Sequence, residues 1–445
     1  MEDKDKKLSL KDQALAYHRY PHPGKIETAP TKPFSTPEDL ALAYSPGVAF
    51  PSLEIAHNPE NAYKYTDRGN TVAVISNGTA VLGLGNIGAE AAKPVMEGKA
   101  MLFKVFAGLD ATDLEVAETD PAKFVDIVAA LAPTYGGINL EDIKSPECFQ
   151  IESDLIARCD IPVMHDDQHG TAVVVGAALI NAAIVQERRL SRLRVVVNGA
   201  GAAAMAVTGL LVELGVRKEN VVMCDSRGVI RADRPGLSPA KAAFATRRTD
   251  LNTLAEAVRG ADMFLGLSVA DVLTPDMLRS MAPRPIVFAL ANPNPEIARD
   301  LALDAVPDLI FATGRSDYPN QINNVLCFPY IFRGALDCRA GSIDMHMKLA
   351  SARAIAALAR EPVEPDVAAI YPGEKLAFGP DYILPKPFDR RLLAVVPPAV
   401  VRAAEESAVA RNPIRDLEKY GRRLQRYIAE TDAHLQRFIQ SGKAQ

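Results

Sequence analysis

Short apolar runs alternate with longer polar segments along the middle of the chain. The runs are four to seven residues long, and the segments between them have helical spacing or many turn residues. Strands are therefore predicted at residues 194–197, 220–224, 263–267, 285–291 and 309–313. Because strands separated by helices form βαβ units, this pattern predicts a parallel sheet with helices on both faces.

The first part of the chain, to about residue 165, opens with a leader that contains Pro21, Pro23, Pro30, Pro33 and Pro37. Prolines at this density disfavour core elements, so the leader is expected to lie over the surface. Residues 72–76, the pair Asn77-Gly78 and residues 79–82 predict a β-hairpin. A further apolar run, residues 101–107, predicts another strand.

The last part of the chain, after about residue 389, is predicted to be helical. Its apolar positions recur three or four residues apart among many charges, at Ile414, Leu417, Tyr420, Leu424 and Tyr427. A single stripe of this kind predicts an amphipathic helix that packs on its own subunit or on a partner.

The composition excludes several classes of protein. Apolar residues make up 48% and charged residues 24% of the chain, as in soluble globular proteins, and 445 residues need more than one core. A net charge of −5 gives no surface suited to nucleic acid. Five cysteines without a C-x-x-C pair indicate neither a disulfide framework nor a zinc ribbon.

Two segments bear on targeting. The N-terminal sequence MEDKDKKLSL is charged and lacks the apolar stretch of a secretory signal. The longest segment without charge, residues 170–186, is too short and too polar for a membrane span, so it predicts a buried helix. We therefore expect a cytoplasmic protein that binds neither membrane nor nucleic acid.

Residues 194–211, RVVVNGAGAAAMAVTGLL, place a glycine motif between a strand and a helix. Glycines permit the tight turn, and the pyrophosphate of a dinucleotide rests on the helix N-terminus. The motif predicts a nicotinamide cofactor in a Rossmann-like domain, with a turn needed only for packing as the alternative. Its predicted cofactor contacts are Gly199, Gly201, Ala202 and Ala203.

Asp225 ends the second strand of this unit. A carboxylate in that position holds a ribose hydroxyl and favours NAD. However, Arg227 and Arg231 lie close enough in sequence to meet the 2′-phosphate of NADP. The spacing alone leaves both cofactors open.

A second G-x-G-x-x-G motif, formed by Gly83, Gly85 and Gly88, follows the predicted hairpin. It is either a close-packed turn that opens a helix or a contact to the cofactor from the facing domain. That helix is expected to end near Pro94, which leaves Lys99 free to point into a cleft. Burial there would lower the pKa of the Lys99 ammonium towards the range of a general base.

Two acidic pairs follow predicted turns or strands, Glu141-Asp142 and Asp166-Asp167. Together they suit a hard divalent cation, Mg²⁺ or Mn²⁺, whereas each pair alone is an ordinary helix cap or solvated turn. The second pair lies in HDDQH, where His165 and His169 have the four-residue spacing of a zinc site. A predicted strand end followed by a loop would separate the two rings, which argues against zinc.

These features predict an α/β fold in three parts. The parts are an N-terminal α/β domain for substrate and metal at residues 1–165, a Rossmann-like domain with a doubly wound parallel sheet at 166–389, and C-terminal helices at 390–445.

Seven motifs carry a resemblance to a known family. They are LAYSPGVA (42–49), GLGNIG (83–88), KPVMEGKA (93–100), INLEDI (138–143), HDDQHGTA (165–172), FALANPNPE (288–296) and GRSDYPNQINNVLCFPYIFRGALD (314–337). Together they resemble the bacterial malic enzymes over nearly the whole chain. The resemblance implies oxidative decarboxylation of L-malate to pyruvate and CO₂, with reduction of NADP⁺ or NAD⁺ and dependence on Mg²⁺ or Mn²⁺. It also implies a homodimer or a higher homo-oligomer.

The resemblance also implies roles for individual residues. The metal ligands would be Glu141, Asp142 and Asp167, with Lys99 as the base, Asp166 beside it and Tyr44 as the acid that protonates the enol. Asn292 would contact substrate and nicotinamide, and Asn324 the substrate; as turn residues they also have a purely structural alternative. His165 and His169 are expected to be structural.

The sequence departs from the family pattern at several points. Ala80 stands where larger members carry an arginine, so Arg68 or Arg315 is expected to bind the distal carboxylate of malate. Ala204 replaces the last glycine of the first motif, which changes helix packing only slightly. Ser226-Arg227 resembles the Ser-Lys of NADP⁺ users and favours NADP⁺. Many bacterial relatives continue into a phosphotransacetylase-like domain, so this chain is expected to correspond to their malic enzyme portion.

Two alternatives remain at this point. A related enzyme would convert malate to lactate without releasing reduced nicotinamide. A nucleotide-sensing regulatory subunit would keep the fold without the chemistry. Tyr44, Lys99 and the acidic set argue against the second alternative, because a sensor needs no acid, base and metal together.

Overall fold

The computed structural model describes residues 9–427. Its strands are β1 (Thr71–Ser76), β2 (Asp110–Glu115), β3 (Gly137–Leu140), β4 (Val163–His165), β5 (Val195–Asn198), β6 (Val221–Asp225), β7 (Gly228–Val229), β8 (Met263–Gly266), β9 (Ile286–Ala289) and β10 (Ile310–Thr313). The α-helices before β5 are α1 (Leu10–Arg19), α2 (Pro37–Ala43), α3 (Ala49–His57), α4 (Ala62–Tyr65), α5 (Ala89–Ala107), α6 (Pro121–Leu131), α7 (Glu147–Arg158) and α8 (Asp166–Val185). The later ones are α9 (Ala202–Glu213), α10 (Pro239–Ala243), α11 (Leu254–Val258), α12 (Pro275–Arg279), α13 (Arg299–Ala305), α14 (Phe328–Asp337), α15 (Met345–Leu358), α16 (Pro365–Ile370) and α17 (Arg391–Glu406). Residues 417–427 are helical as well.

The first sheet has the strand order β2-β1-β3-β4, and all its neighbours are parallel. The predicted hairpin is therefore wrong, since residues 79–82 form a turn and not a strand. All six residues of β1 are buried, so this strand pairs on both sides with strands that return through helices. The backbone after the turn does not pair with β1. Instead, the Ala80 N–H donates to the Asp142 carbonyl oxygen.

Helix α5 corrects two further predictions. It runs through Pro94 without ending there, and it includes residues 101–107, which the apolar run had predicted to be a strand. Phe103 is fully buried, and its ring packs edge-on against Phe328 and Phe332 of α14. A helix covered on two sides has an almost continuous apolar run, which periodicity cannot distinguish from a buried strand.

The second sheet has the order β10-β9-β8-β5-β6-β7, parallel except for the edge strand β7. Each of the five predicted strands of the middle part is present, with ends within two residues of the prediction. The chain turns to opposite sides of β5, because β6 follows it on one side and β8 lies on the other. In open α/β sheets such a switch point, at the carboxyl ends of the strands, is where ligands bind.

Helix α8 forms the centre of the core. By length and composition it is apolar enough to cross a membrane, but 72% of its most apolar window is buried inside the protein. It packs against α9 and α15, and its Asn181 side chain donates to the carbonyl oxygens of Ala356 and Ile383. The buried helix predicted from residues 170–186 is confirmed.

Among the described residues after 389, the chain forms α17 and the helix at 417–427, and residues 407–416 between them are not helical. Tyr420 and Leu424 of the stripe are buried, and the Tyr420 hydroxyl donates to the Asp337 carboxylate at 2.6 Å. The Tyr427 hydroxyl donates to the carbonyl oxygen of Gly108 beside the first sheet. The stripe therefore packs on its own chain, and the rest of the predicted extension, residues 428–445, lies outside the described residues.

The leader contains α1, α2 and α3, but none of its residues from 9 to 61 is buried. Large apolar side chains on it are exposed, among them Leu42 at 76%, Phe50 at 71% and Leu53 at 67%. The leader therefore lies on the surface, as predicted, with apolar groups that nothing within residues 9–427 covers.

Candidate functional site

Four carboxylates and one lysine meet at the carboxyl ends of β3 and β4. Glu141 and Asp142 follow β3, and Asp166 and Asp167 follow β4, so adjacent parallel strands bring the two pairs to one edge. Lys99 of α5 reaches this edge, with its Nζ 2.6 Å from Asp166 Oδ2 and 2.9 Å from Glu141 Oε1. The backbone N–H of Asp142 donates to Asp167 Oδ2 at 2.8 Å. The structure thus brings together the predicted base and all the predicted carboxylates.

The predicted lowering of the Lys99 pKa is wrong. Burial works against the ammonium, but the negative charges of Asp166 and Glu141 outweigh it and raise the pKa of Lys99. The sequence indicated the burial of the lysine, but not the two carboxylates in contact with it. Lys99 therefore holds its proton firmly until positive charge enters the cluster.

The pKa values of two carboxyl groups in the cluster are raised as well. Burial raises the pKa of Glu141 well above its usual range, and burial together with the charge of Asp167 raises the pKa of Asp142 to about 7. Asp142 Oδ2 is buried and has no hydrogen-bond partner among the residues that the structure describes. Glu141 is held by Lys99 on one oxygen and by the Asn139 amide on the other, at 2.9 Å. The four carboxylates therefore carry more negative charge than Lys99 neutralises. Within residues 9–427, however, no three His, Cys, Asp or Glu side chains are already arranged to hold a metal ion.

The HDDQH segment folds differently from its prediction. No loop follows β4, because α8 begins at Asp166 directly after the strand. The carboxylate of Glu152 in α7 accepts the backbone N–H of His165 at 2.8 Å and is 3.0 Å from His169 Nε2. His169 is thus engaged by a carboxylate, as a positioning group would be. Within residues 9–427 the buried ring of His165 has no hydrogen-bond partner, and its Nδ1 is 3.7 Å from Asp167 Oδ2.

Asn324 joins the cluster from a separate part of the chain. Its Nδ2 donates to Asp166 Oδ2 at 3.2 Å, and its Oδ1 accepts from the Thr171 hydroxyl at 3.0 Å. A predicted substrate contact therefore lies against the predicted partner of Lys99. The sequence separation of 158 residues shows that this arrangement depends on the tertiary fold.

The second glycine motif connects the cluster to the second sheet. Gly88 directly precedes α5, so the motif opens a helix as predicted. A Cβ placed on Gly83 would lie 3.3 Å from the carbonyl oxygen of Asn292, which follows β9. Cβ atoms on Gly85 and Gly88 would meet no atom within 4 Å. The motif therefore faces the carboxyl edge of the second sheet, with open space beside its last two glycines.

The first glycine motif lies at the switch point of the second sheet. Gly199 follows β5 directly, and α9 begins at Ala202, so the strand, turn and helix predicted from the sequence are present. Gly199 has a φ of +127°, and a Cβ there would overlap the Leu267 carbonyl oxygen, so no other residue fits. Ala202 and Ala203 form the first turn of α9, where the backbone N–H groups are free to bind a phosphate.

The surroundings of Asp225 differ from the prediction. Its carboxylate is bound by the guanidinium of Arg234 and, at 2.7 Å, by Lys241 Nζ. Although burial opposes it, these hydrogen bonds hold the pKa of Asp225 well below its usual range. Arg227 approaches only through its backbone N–H, which donates to Asp225 at 3.0 Å.

Arg231, the other predicted phosphate contact, is turned away from Asp225 and pairs with Asp233. The sequence analysis missed Arg234 and Lys241, which lie nine and sixteen residues after Asp225. Their positive charges were visible in the sequence, but the turn that brings them back was not.

Three predicted residues lie apart from the cluster. Tyr44 is 71% exposed in the leader, and within residues 9–427 its hydroxyl has no hydrogen bond. Arg68 precedes β1, at the edge of the first sheet opposite the carboxylates, so it is wrong as the distal carboxylate contact. Arg315 follows β10 on the correct edge of the second sheet but is paired with Asp317 at 2.7 Å.

Two family models match the chain. The N-terminal domain of malic enzyme matches residues 23–122, and the NAD-binding domain of malic enzyme matches residues 168–376. Together they cover more than half of the chain, and they correspond to the part with the lysine and to the part with the first glycine motif.

Relatives extend the match. The chain is 57% identical over 437 residues to the NADP-dependent malic enzyme of Escherichia coli K12, covering 98% of this chain and 58% of that protein. It is 56% identical over 400 residues to the NADP-dependent malic enzyme of Halomonas elongata, covering 90% and 94%. The chain thus spans little more than half the length of the first relative and nearly all of the second.

A solved structure agrees with the sequence matches. The crystal structure of malic enzyme from Pyrococcus horikoshii superimposes with a TM-score of 0.88 at 42% identity, over 96% of this chain and 98% of that one. The resemblance inferred from the seven motifs and the Rossmann-like fold of the second domain are confirmed. The chain belongs to the malic enzyme family.

Proposed function

We propose that this protein oxidises and decarboxylates L-malate to pyruvate and CO₂ with reduction of NADP⁺. The observation that carries the proposal is the buried contact of Lys99 with Asp166 and Glu141, at the edge that faces the second glycine motif and Asn292. The names of the Escherichia coli and Halomonas elongata relatives support the same activity. Residues 1–165 would supply the lysine and the first carboxylates, residues 166–389 the nucleotide site, and residues 390–445 the helices that brace them. We propose a cytoplasmic location.

We infer that Glu141, Asp142 and Asp167 hold Mg²⁺ or Mn²⁺. Carboxylate oxygens are the ligands these ions prefer, and the unpartnered buried oxygen of Asp142 is a free position for one. Burial is the first cause of the raised pKa values of Glu141 and Asp142, and the negative charge of Asp167 raises both further. The residues therefore fit the metal. When bound, a divalent cation would acidify the substrate hydroxyl, weaken the hold of the carboxylates on the Lys99 proton and stabilise enolate charge.

Once a bound metal has weakened its hold on its own proton, Lys99 would take the proton of the malate C2 hydroxyl. A bound nicotinamide would supply the acceptor for the C2 hydride, so that the alcohol becomes a ketone. Asp166 fixes the Lys99 ammonium through the 2.6 Å contact and is itself held by Asn324. The ketone is then β to the distal carboxylate, so the bond between C3 and C4 breaks, CO₂ leaves and the electron pair remains on the product as an enolate. A proton delivered to C3 from the Tyr44 hydroxyl completes pyruvate.

The proposed preference for NADP⁺ rests on Arg234 and Lys241. Asp225 is already occupied by these two cations, so its carboxylate is not free to hold both hydroxyls of an NAD ribose. A 2′-phosphate would meet the same guanidinium and ammonium groups. We propose Arg234 and Lys241, in place of the Arg227 and Arg231 side chains, as the residues that select NADP⁺.

We propose that the protein is a homodimer in which each leader packs on the other copy. Residues 9–61 bury no side chain in their own chain, and their exposed apolar groups need a cover. Leu82 and Leu84, in the turn before the second glycine motif, are also exposed, at 63% and 69%. In this arrangement Tyr44 would serve the Lys99 cluster of the partner subunit. A symmetric pair forms two such contacts.

The absorbance of reduced nicotinamide tests the proposed activity. L-malate and Mn²⁺ are added with NADP⁺ in one cuvette and NAD⁺ in another. Reduction that is faster with NADP⁺, and that stops with a chelator, is the expected result. Absence of reduction in both cuvettes would refute the proposed activity.

A further inference from the structure

Glu296 is a buried carboxylate at the junction of three strand ends in the second sheet. It is fully buried, and its oxygens accept backbone N–H groups from two different loops. The Ser268 N–H, after β8, donates to Oε1 at 3.0 Å, and the Ala291 N–H, after β9, donates to Oε2 at 3.0 Å. One side chain therefore fixes the two loops relative to each other.

The contacts extend from Glu296 to both walls of the proposed nucleotide cleft. The Ser268 hydroxyl accepts from the Asn198 amide at 2.7 Å, and Asn198 is the last residue of β5, directly before Gly199. On the other side, Ala291 precedes Asn292, whose carbonyl oxygen lies against Gly83. Glu296 thus connects the glycine turn after β5 to the loop that carries Asn292.

A glycine on β8 leaves the space that the Glu296 side chain occupies. A Cβ on Gly266, the last residue of β8, would overlap the Glu296 carboxylate. The backbone also joins the same segments, because the Leu273 N–H donates to the Glu296 carbonyl oxygen at 3.0 Å. Glu296 therefore lies at the carboxyl edge of these strands, which is where open α/β sheets bind ligands.

We propose that Glu296 is a positioning residue, which sets the separation of the two cleft walls and thereby the affinity for the nicotinamide dinucleotide. It acts through the backbone and hydroxyl of Ser268 and through the Ala291 backbone, and does not itself touch the cofactor. The inference rests on the proposed function, because it requires that the cleft between Gly199 and Asn292 binds this cofactor.

The test compares two variants of the full chain. Glu296→Gln keeps the size of the side chain but turns an NH₂ group towards one of the two N–H donors. Asp262→Asn is the matched control, since Asp262 is also buried and accepts the Arg194 N–H at 2.8 Å, but it precedes the opposite end of β8. The dissociation constant of NADPH is measured by fluorescence titration without malate, together with the dissociation constant of Mn²⁺ and the melting temperature.

The expected result is a rise of about tenfold in the NADPH dissociation constant for Glu296→Gln, with Mn²⁺ binding within about twofold of wild type. Asp262→Asn should lower the melting temperature without changing NADPH affinity. Unchanged NADPH affinity in Glu296→Gln, or an equal loss in both variants, would overturn the inference. If Glu296→Gln does not fold, Ser268→Ala is measured instead. This variant is expected to bind NADPH about threefold more weakly, and unchanged binding would overturn the inference.

The two proposals fail in different ways. A wild-type chain that binds neither NADPH nor NADH would refute the proposed function and this inference with it. A wild-type chain that binds NADPH, beside a Glu296→Gln variant that binds it equally well, would refute the positioning role alone.

Discussion

Lys99 and Asp166 form a buried ion pair, with Nζ 2.6 Å from Oδ2 and both side chains at most 10% exposed. The two residues come from α5 and from the start of α8, and 67 positions separate them. Because Asp166 and Glu141 both raise the pKa of Lys99, the amine is protonated in the absence of a cation. Catalysis by this lysine therefore depends on positive charge brought in by a metal ion.

Asp167→Ala should abolish metal-dependent turnover, by about a thousandfold or more, because it removes a proposed ligand for the charge that stabilises the reaction. His169→Asn should stay within about tenfold of wild type, since His169 contacts Glu152 rather than the substrate side. Initial rates of NADPH formation with L-malate and Mn²⁺ measure both. Equal losses in the two variants would contradict the distinction between ligand and positioning residue.

Mn²⁺ affinity should rise with pH up to about 7. The pKa of Asp142 is raised from 3.8 to about 7, so the metal-free folded state binds more protons than the unfolded chain between these values. By linkage, this group makes the metal-free protein less stable as the pH rises from about 4 to about 7, and Mn²⁺ competes with the same proton.

Calorimetric titration with Mn²⁺ at a series of pH values measures this dependence. Wild type should bind about tenfold more tightly per pH unit below 7 and then level off. Asp142→Asn should bind more weakly, with a flatter pH dependence. Affinity in wild type that is independent of pH would contradict the role of Asp142.

Arg234→Ala and Lys241→Ala should each raise the KM for NADP⁺ by about tenfold or more, since each removes a charged contact to the 2′-phosphate. The KM for NAD⁺ should change by less than about threefold, because NAD⁺ lacks that phosphate. Arg231→Ala is the control, as its side chain pairs with Asp233 away from Asp225. Steady-state kinetics measure the KM for each cofactor. An equal rise in the KM for NADP⁺ and for NAD⁺ would refute the assignment.

Mixed dimers test whether Tyr44 acts across the subunit interface. Tyr44→Phe and Lys99→Ala should each be nearly inactive alone. If Tyr44 serves the partner subunit, co-expression gives mixed dimers with one intact site, and activity returns to about a quarter of wild type. Mixing Lys99→Ala with Asp167→Ala should restore nothing, because both residues act in the same chain. A failure of the first pair to regain activity would place Tyr44 in its own subunit's site or outside the reaction.

The sequence predicts the second sheet well for a physical reason. Each of its central strands is buried on both faces, so β5 and β8 appear as short apolar runs separated by helices. The glycine turn after β5 has its own local signature, because Gly199 needs a positive φ. Local sequence is sufficient to predict an element whose burial or backbone geometry leaves a recognisable pattern in its own residues.

The errors arise where tertiary contacts override local signals. Asn77-Gly78 turns the chain, but β1 is paired on both sides by distant strands and leaves no place for a hairpin partner. Residues 101–107 belong to a helix that is covered on two sides, and Pro94 is tolerated inside it. The pKa of Lys99 and the partners of Asp225 depend on charges that only the fold brings near.

The proposed reaction requires that the hydride on C2 of malate is released on the nicotinamide while pyruvate is formed. L-malate deuterated at C2 tests it most directly, with Mn²⁺, NADP⁺ and mass spectrometry of every product. Deuterated NADPH and unlabelled pyruvate are expected in equal amounts. Deuterium recovered in lactate, or pyruvate formed without labelled NADPH, would contradict it.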